Sequence, residues 1–158
     1  MNLTAQTAKN LRDVYHGGNW AGSNLKDNLK DITWQQATTS VFNFNTIAAL
    51  IFHTNYYVEA LIKVLQGGPL DASDKLSFNC PAIASNEDWQ NLLDKTWKDA
   101  ETLARLIEQM PDSALADSFS DGKYGTNFRN LIGNIEHIHY HLGQIALIRK
   151  MLLETNIE

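Results

Sequence analysis

The sequence predicts an all-α fold, a four-helix bundle with a long connection between its second and third helices. Three observations carry that expectation. Four segments place apolar residues at steps of three and four, the spacing of one helical face. No stretch alternates apolar and polar residues for long enough to make a strand. Residues 70–85 sustain no period at all and are interrupted by Pro81, so they read as a crossover that lets the second and third helices run parallel.

The first helix is expected over Asn2 to His16, with Leu3, Thr7, Leu11 and Val14 on one face. Gly17-Gly18-Asn19 stops it, because these residues reach helix-ending backbone angles at low cost. Ser23 is the expected cap of a short helix carrying Leu25, Leu29 and Ile32, and Thr33-Trp34-Gln35-Gln36 has capping-box spacing. The second long helix runs from about Asn45 to Gln66 and ends at Gly67-Gly68-Pro69. It is apolar on nearly every side, so either the bundle or a second subunit is expected to cover it. Ser85-Asn86-Glu87-Asp88 signals the third start, and Trp89, Leu92, Leu93, Trp97, Ala100, Leu103, Ala104, Ile107 and Met110 follow until Pro111. A polar loop spans Asp117 to Thr126, and the last helix runs from about Asn127 to Glu154.

Length and charge narrow the function. The 158 residues suit one domain over 1–158, large enough to bury a core without staples. Thirteen basic residues against 18 acidic ones leave a net charge of -5, and the only adjacent basic pair is Arg149-Lys150, which disfavours nucleic acid as a partner. The longest apolar run, Ile47 to Phe52, falls far short of the about 20 residues that span a bilayer, so no membrane segment is expected. Met1 to Asn10 lack the apolar core of a signal peptide, and a cytoplasmic location is the expectation. The single Cys80 rules out an intrachain disulfide; beside Pro81 it reads as a small buried residue rather than a nucleophile.

The histidines carry the chemistry. His137 and His141 stand four apart, so both leave the same helical face about one turn apart, the spacing at which two imidazoles share a metal. The stripe Asn134, His137, His141, Gln144, Ile148 places them where core residues belong. His53 interrupts the most apolar segment of the chain, where an unpaired ring would cost about 1–3 kcal/mol. A third imidazole facing the other two across the core completes a three-ligand site with an open position. The competing reading makes them core histidines bonded to Asn134, Gln144 or tyrosines. His139 lies about 200° around the helix from its neighbours and is expected to be exposed or at an interface. His16, ending the first helix, suits a capping role toward the helix dipole, or a place at the rim of a pocket.

The segment Glu136-His137-Ile138-His139-Tyr140-His141-Leu142-Gly143-Gln144-Ile145, continuing to Arg149, resembles the last-helix signature of the DinB-like family. His53, eight residues after Asn45 and followed by Tyr56-Tyr57, resembles the family's histidine on the second helix, and Tyr15 to Leu25 is similar to its first connection. The likeness covers nearly the whole chain and is most specific in the last helix. It implies a bundle in up-down-down-up order, often a homodimer, with a histidine triad holding nickel or zinc. Relatives include bacillithiol S-transferases and the mycothiol-dependent maleylpyruvate isomerase. The isomerase branch replaces one metal histidine with glutamate; histidine at all three positions points to the transferase-like or uncharacterised branch.

An ion on three neutral imidazoles lowers the pKa of a bound water to about 7 or favours the thiolate form of a bound thiol. A hydrolase would want a carboxylate base near by. Glu136 points about 100° away from His137 and Glu59 faces elsewhere, so no carboxylate base is evident. That leans away from hydrolysis, and the resemblance implies a transferase acting with a small-molecule thiol and an electrophile. A hydrolase using metal-activated water and a non-enzymatic, metal-stabilised bundle are the alternatives. Tyr56, three residues after His53, is a candidate hydrogen-bond donor in the pocket, and Gln144 a candidate partner behind the ligands.

Overall fold

The computed structural model describes residues 2–154; Met1 and residues 155–158, included in the expected domain, lie outside them. Among the described residues are seven α-helices: α1 (Leu3–His16), α2 (Leu25–Leu29), α3 (Trp34–Thr38), α4 (Ile47–Leu65), α5 (Asp74–Ser77), α6 (Asn86–Gln109) and α7 (Asn127–Glu154). A 3-10 turn spans Asp112–Ala116, and the one β feature among the described residues is an isolated bridge between Ser118 and Thr126. The four long helices, α1, α4, α6 and α7, are the four that the apolar spacing predicts. Both α1 and α4 pack against α6 and α7, so the four close a ring around one core that includes Leu11, Ile51, Leu103 and Ile138.

Side chains fix the helix ends. Asn2 caps α1 by accepting from the Ala5 amide. Asp112 accepts from the amides of Leu3 and Thr4 at 2.9 and 3.0 Å, which ties the start of α1 to the chain just beyond α6. The capping box of Thr33 and Gln36 forms as predicted. The cap of α2 is Asn24 rather than Ser23: the Asn24 oxygen accepts from the Asp27 amide, while the Ser23 hydroxyl accepts from Asn28. Starting the helix at Leu25 places Leu25 and Leu29 in the core together. Helix α4 ends where predicted, because Gly67 turns to φ +85° and a Cβ at Gly68 would meet the Lys63 carbonyl oxygen at 2.9 Å.

The crossover is ordered, and it runs back along α4. The Ser73 amide donates to the Tyr56 hydroxyl at 2.9 Å, the Tyr57 hydroxyl donates to Asp74, and Ser77 Oγ meets His53 Nδ1 at 2.9 Å. Further on, Cys80 Sγ lies 3.9 Å from the Ala48 carbonyl. The chain thus returns from the end of α4 toward its beginning before α6 starts. It also covers a side of α4 that the apolar pattern assigns to the bundle or a second subunit. At the head of α6, Ser85 caps through the Asp88 amide, and the fully buried Trp89 donates its indole N–H to the Ile32 carbonyl at 3.0 Å.

Candidate metal centre

Three elements build the site: α4 contributes His53, α7 contributes His137 and His141, and α5 braces them from outside. His53 and His141 are buried and His137 is half-buried. His137 Nε2 lies 3.0 Å from His53 Nε2 and 3.0 Å from His141 Nε2, and the three ligand atoms all fall within 4.8 Å of one another. Nitrogens bound to one zinc ion at about 2.0–2.1 Å stand about 2.9 Å apart at right angles and about 3.3 Å apart at tetrahedral angles. The two 3.0 Å separations to His137 fall between these limits. The three histidines expected from the sequence therefore form one group that can hold a metal ion.

The hydrogen bonds behind the rings favour one tautomer for two of them. Ser77 Oγ donates to the Asp74 carbonyl at 2.7 Å, so toward His53 it acts as acceptor, and His53 Nδ1 is the protonated nitrogen. The Gln144 amide oxygen lies 2.6 Å from His141 Nδ1 and can only accept, so His141 is protonated on Nδ1 as well. Both rings then present a bare Nε2 lone pair to His137 Nε2. His137 has at most one proton there and can satisfy one of the two contacts. The other contact, also 3.0 Å long, has no hydrogen between its nitrogens, and a cation placed among the three relieves it. This is the pattern of metal-ligating histidines whose outer nitrogen is held by a neighbour.

Electrostatics agree with neutral rings. Burial, then the proximity of His141, pushes the His53 pKa down to about 4. Burial, followed by the two other histidines, pushes His137 down to about 4, and burial lowers His141 despite the Gln144 bond. An uncharged imidazole is the metal-binding form.

A cavity of about 860 Å³ opens onto His53 and His137. Tyr57, not Tyr56, faces it. The Tyr57 ring sits edge-on to both His53 and His137, at 5.3 Å in each case, whereas the Tyr56 hydroxyl is engaged by the Ser73 amide in the crossover. Burial first, and then its bond to Asp74, push the Tyr57 phenol up to about 12, so it holds its proton at neutral pH. Phe78 stacks on His53 with centroids 3.9 Å apart and planes 13° from parallel. Asp74 also lines the cavity, so a carboxylate does stand beside the site, contrary to the expectation from the sequence. Asp74, Ser77 and Phe78 all come from the crossover, where no periodicity draws attention to them; the one signal is Ser73-Asp74, a pair typical of helix starts.

The other candidates lie elsewhere. Gln144 sits behind the ligands as expected. Glu136 is exposed, and Glu59 bonds Asn55 and Lys95. His139 is half-buried, with Nδ1 3.1 Å from the Ile135 carbonyl, and stays off the ligand face. His16 packs against Tyr15 and Trp97. Burial, then Lys26, lowers its pKa, which opposes the protonated cap expected of it, and it does not line the cavity. Gly17 caps α1 instead. Cys80 is half-buried, and burial pushes its thiol up, the reverse of what a nucleophile needs.

Ser77 offers a test of the brace. Ser77→Ala removes the acceptor that orients His53, and zinc affinity measured against a competing chelator is expected to fall about 10–100-fold. A change of less than about threefold would show that His53 is positioned by packing alone.

No protein-family model and no curated protein matches the chain. A solved crystal structure described as a conserved protein from Enterococcus faecalis is similar over 98% of this chain and 99% of that one, with a TM-score of 0.75 and 15% identity. At that identity the likeness is one of fold, and it extends over nearly the full length of both proteins. Fold and site together define an all-helical protein with a largely buried three-histidine group able to hold a metal ion. No helix among the described residues is long and apolar enough to cross a membrane.

Proposed function

We propose that this chain is a DinB-like, metal-dependent transferase that joins a low-molecular-weight thiol to an electrophile. The observation that carries the metal part is the convergence of three imidazole Nε2 atoms, two of them on rings whose Nδ1–H is engaged by Ser77 and Gln144, at the edge of an open cavity. The thiol part rests on the resemblance of the last helix to that family. Nickel or zinc suits three imidazole ligands. A divalent ion held there supplies Lewis acidity that acidifies a thiol or a water. The return of the crossover along α4 supports an up-down-down-up bundle. A symmetric homodimer in the cytoplasm belongs to the same reading and rests on the resemblance.

The protein's own groups divide the work. His53, His137 and His141 hold the ion, and Phe78 and Tyr57 wall its open side. The thiol proton passes to Asp74, sulfur forms a bond to the electrophilic carbon, and the leaving group departs with its electron pair and then takes up that proton. Tyr57, protonated and bonded to Asp74, keeps the carboxylate facing the cavity. Asp74 equally favours a second reading, hydrolysis, in which the same carboxylate takes a proton from water.

Conjugation of bacillithiol or cysteine to monochlorobimane by zinc- and nickel-loaded protein tests the proposal. Metal-dependent turnover that His53→Ala abolishes is the expected result. Absence of turnover with every thiol, together with metal-dependent cleavage of an ester or amide panel, would replace transferase with hydrolase.

A further inference from the structure

The cavity beside the histidines has walls of opposite charge. Asp74 stands on the crossover side, and Lys123 and Arg129 border it from the loop before α7 and the first turn of α7. In a chain with net charge -5, two cations at one cavity call for an explanation. Elsewhere, Lys9, Arg12, Lys63, Lys95 and Arg105 are matched to carboxylates; of the lysines and arginines without an ion pair among the described residues, Lys123 and Arg129 are the two that line this cavity. Among the described residues neither Lys123 nor Arg129 forms an ion pair. The Lys123 ammonium lies 5.2 Å from the Tyr124 ring centroid, while the Asp121 carboxylate is turned to the Lys123 backbone amide.

The loop that carries these cations is built to hold a shape. Phe119 is buried and donates its amide to the Gly125 carbonyl at 2.8 Å, and the Asn127 amide reaches the Asp117 carbonyl at 2.9 Å. Asn130 clamps the same loop through the Tyr124 and Thr126 carbonyls at 3.0 and 2.8 Å. Gly125 turns at φ +82°, and a Cβ there would lie 3.5 Å from Arg129 Cδ, so the arginine stem lies over a residue with no side chain. Cations on a backbone held in place at the edge of a cavity, unmatched by protein carboxylates, suit recognition of an anionic ligand.

We propose that the cavity takes a small organic carboxylate, its charge held by Arg129 and Lys123 and its other end directed at the histidines. The inference names the substrate class for the site described above and rests on that reading for its direction. One guanidinium and one ammonium, facing Asp74, balance a single negative charge better than a phosphate dianion. Arginine also offers the paired donors that a carboxylate accepts.

Isothermal titration with 4-phenylbutyrate and its neutral amide tests this, with the phenyl ring suited to Tyr57 and Phe78. Both metal-stripped and zinc-loaded protein are used, because a carboxylate can also reach a metal directly and only the stripped protein isolates the cationic wall. The carboxylate is expected to bind about tenfold more tightly than the amide in both forms. In the double variant Lys123→Gln/Arg129→Gln, with unchanged circular dichroism and zinc content, that preference is expected to vanish. Equal affinity for the two probes, or a preference that survives the double substitution, would overturn the proposal. Failure of the metal reading would show instead as missing zinc, with the preference of the stripped protein intact.

Discussion

Zinc or nickel added to the metal-free protein is expected to raise its thermal midpoint by about 8–16 °C. The size follows from linkage. A ligand that binds only the folded state contributes about 4 kcal/mol when its free concentration is a thousand times its dissociation constant. In a chain of this length each kcal/mol moves the midpoint by about 2–4 °C. The site favours such binding because two of its rings are already oriented, by Ser77 and Gln144, before any ion arrives. Filling it also relieves the short nitrogen–nitrogen contact, 3.0 Å long, that a single His137 proton leaves without a hydrogen. Differential scanning calorimetry with a chelator and then with each metal gives the shift. The variant His137→Ala/His141→Ala is expected to show none, and a shift of the same size in both proteins would place the metal elsewhere.

Acid is expected to destabilise the metal-free protein before its carboxylates protonate. His53 and His137 start from 6.5 in the unfolded chain and are held down to about 4 in the folded one, chiefly by burial. Between those values the unfolded state binds more protons, so stability falls as pH falls. The contribution is complete above pH 6.5 and lost as pH drops through about 4. A pKa moved that far corresponds to about 3 kcal/mol for one ring. The second adds less than that, because the two sense each other's charge. Urea midpoints between pH 7.5 and 5 check the slope. The substitution His53→Gln/His137→Gln should flatten it while leaving the carboxylate-driven loss at lower pH. An identical slope in both proteins would mean that these rings are not buried neutral.

The parts of the site that lie on long helices were legible from spacing alone. His137 and His141 share a face because four residues make about one turn, and the same phasing sets His139 aside. His53 stood out because a polar ring within Ile47 to Thr54 has to find partners. The same arithmetic separates the two tyrosines: Tyr57 lies about 40° around the helix from His53, and Tyr56 about 60° on the other side. On a helix apolar almost all round, that small difference is easily misjudged, and the crossover decides it by engaging the Tyr56 hydroxyl. Asp74, Ser77 and Phe78 had no comparable signal. They reach the histidines because the crossover folds back along α4, a tertiary event with no period in the sequence. The same return explains why the apolar excess of α4 does not by itself call for a second subunit.

The central claim is that His53, His137 and His141 bind one ion together. X-ray absorption at the metal edge of protein loaded with one equivalent of zinc or nickel tests it most directly. The account predicts a first shell of nitrogen at about 2.0–2.1 Å for zinc, with imidazole outer-shell scattering from three rings and no sulfur, unchanged in His139→Ala and lost in His53→Ala. A spectrum containing sulfur, or fewer than three imidazoles, or one that His53→Ala leaves unaltered, would contradict it.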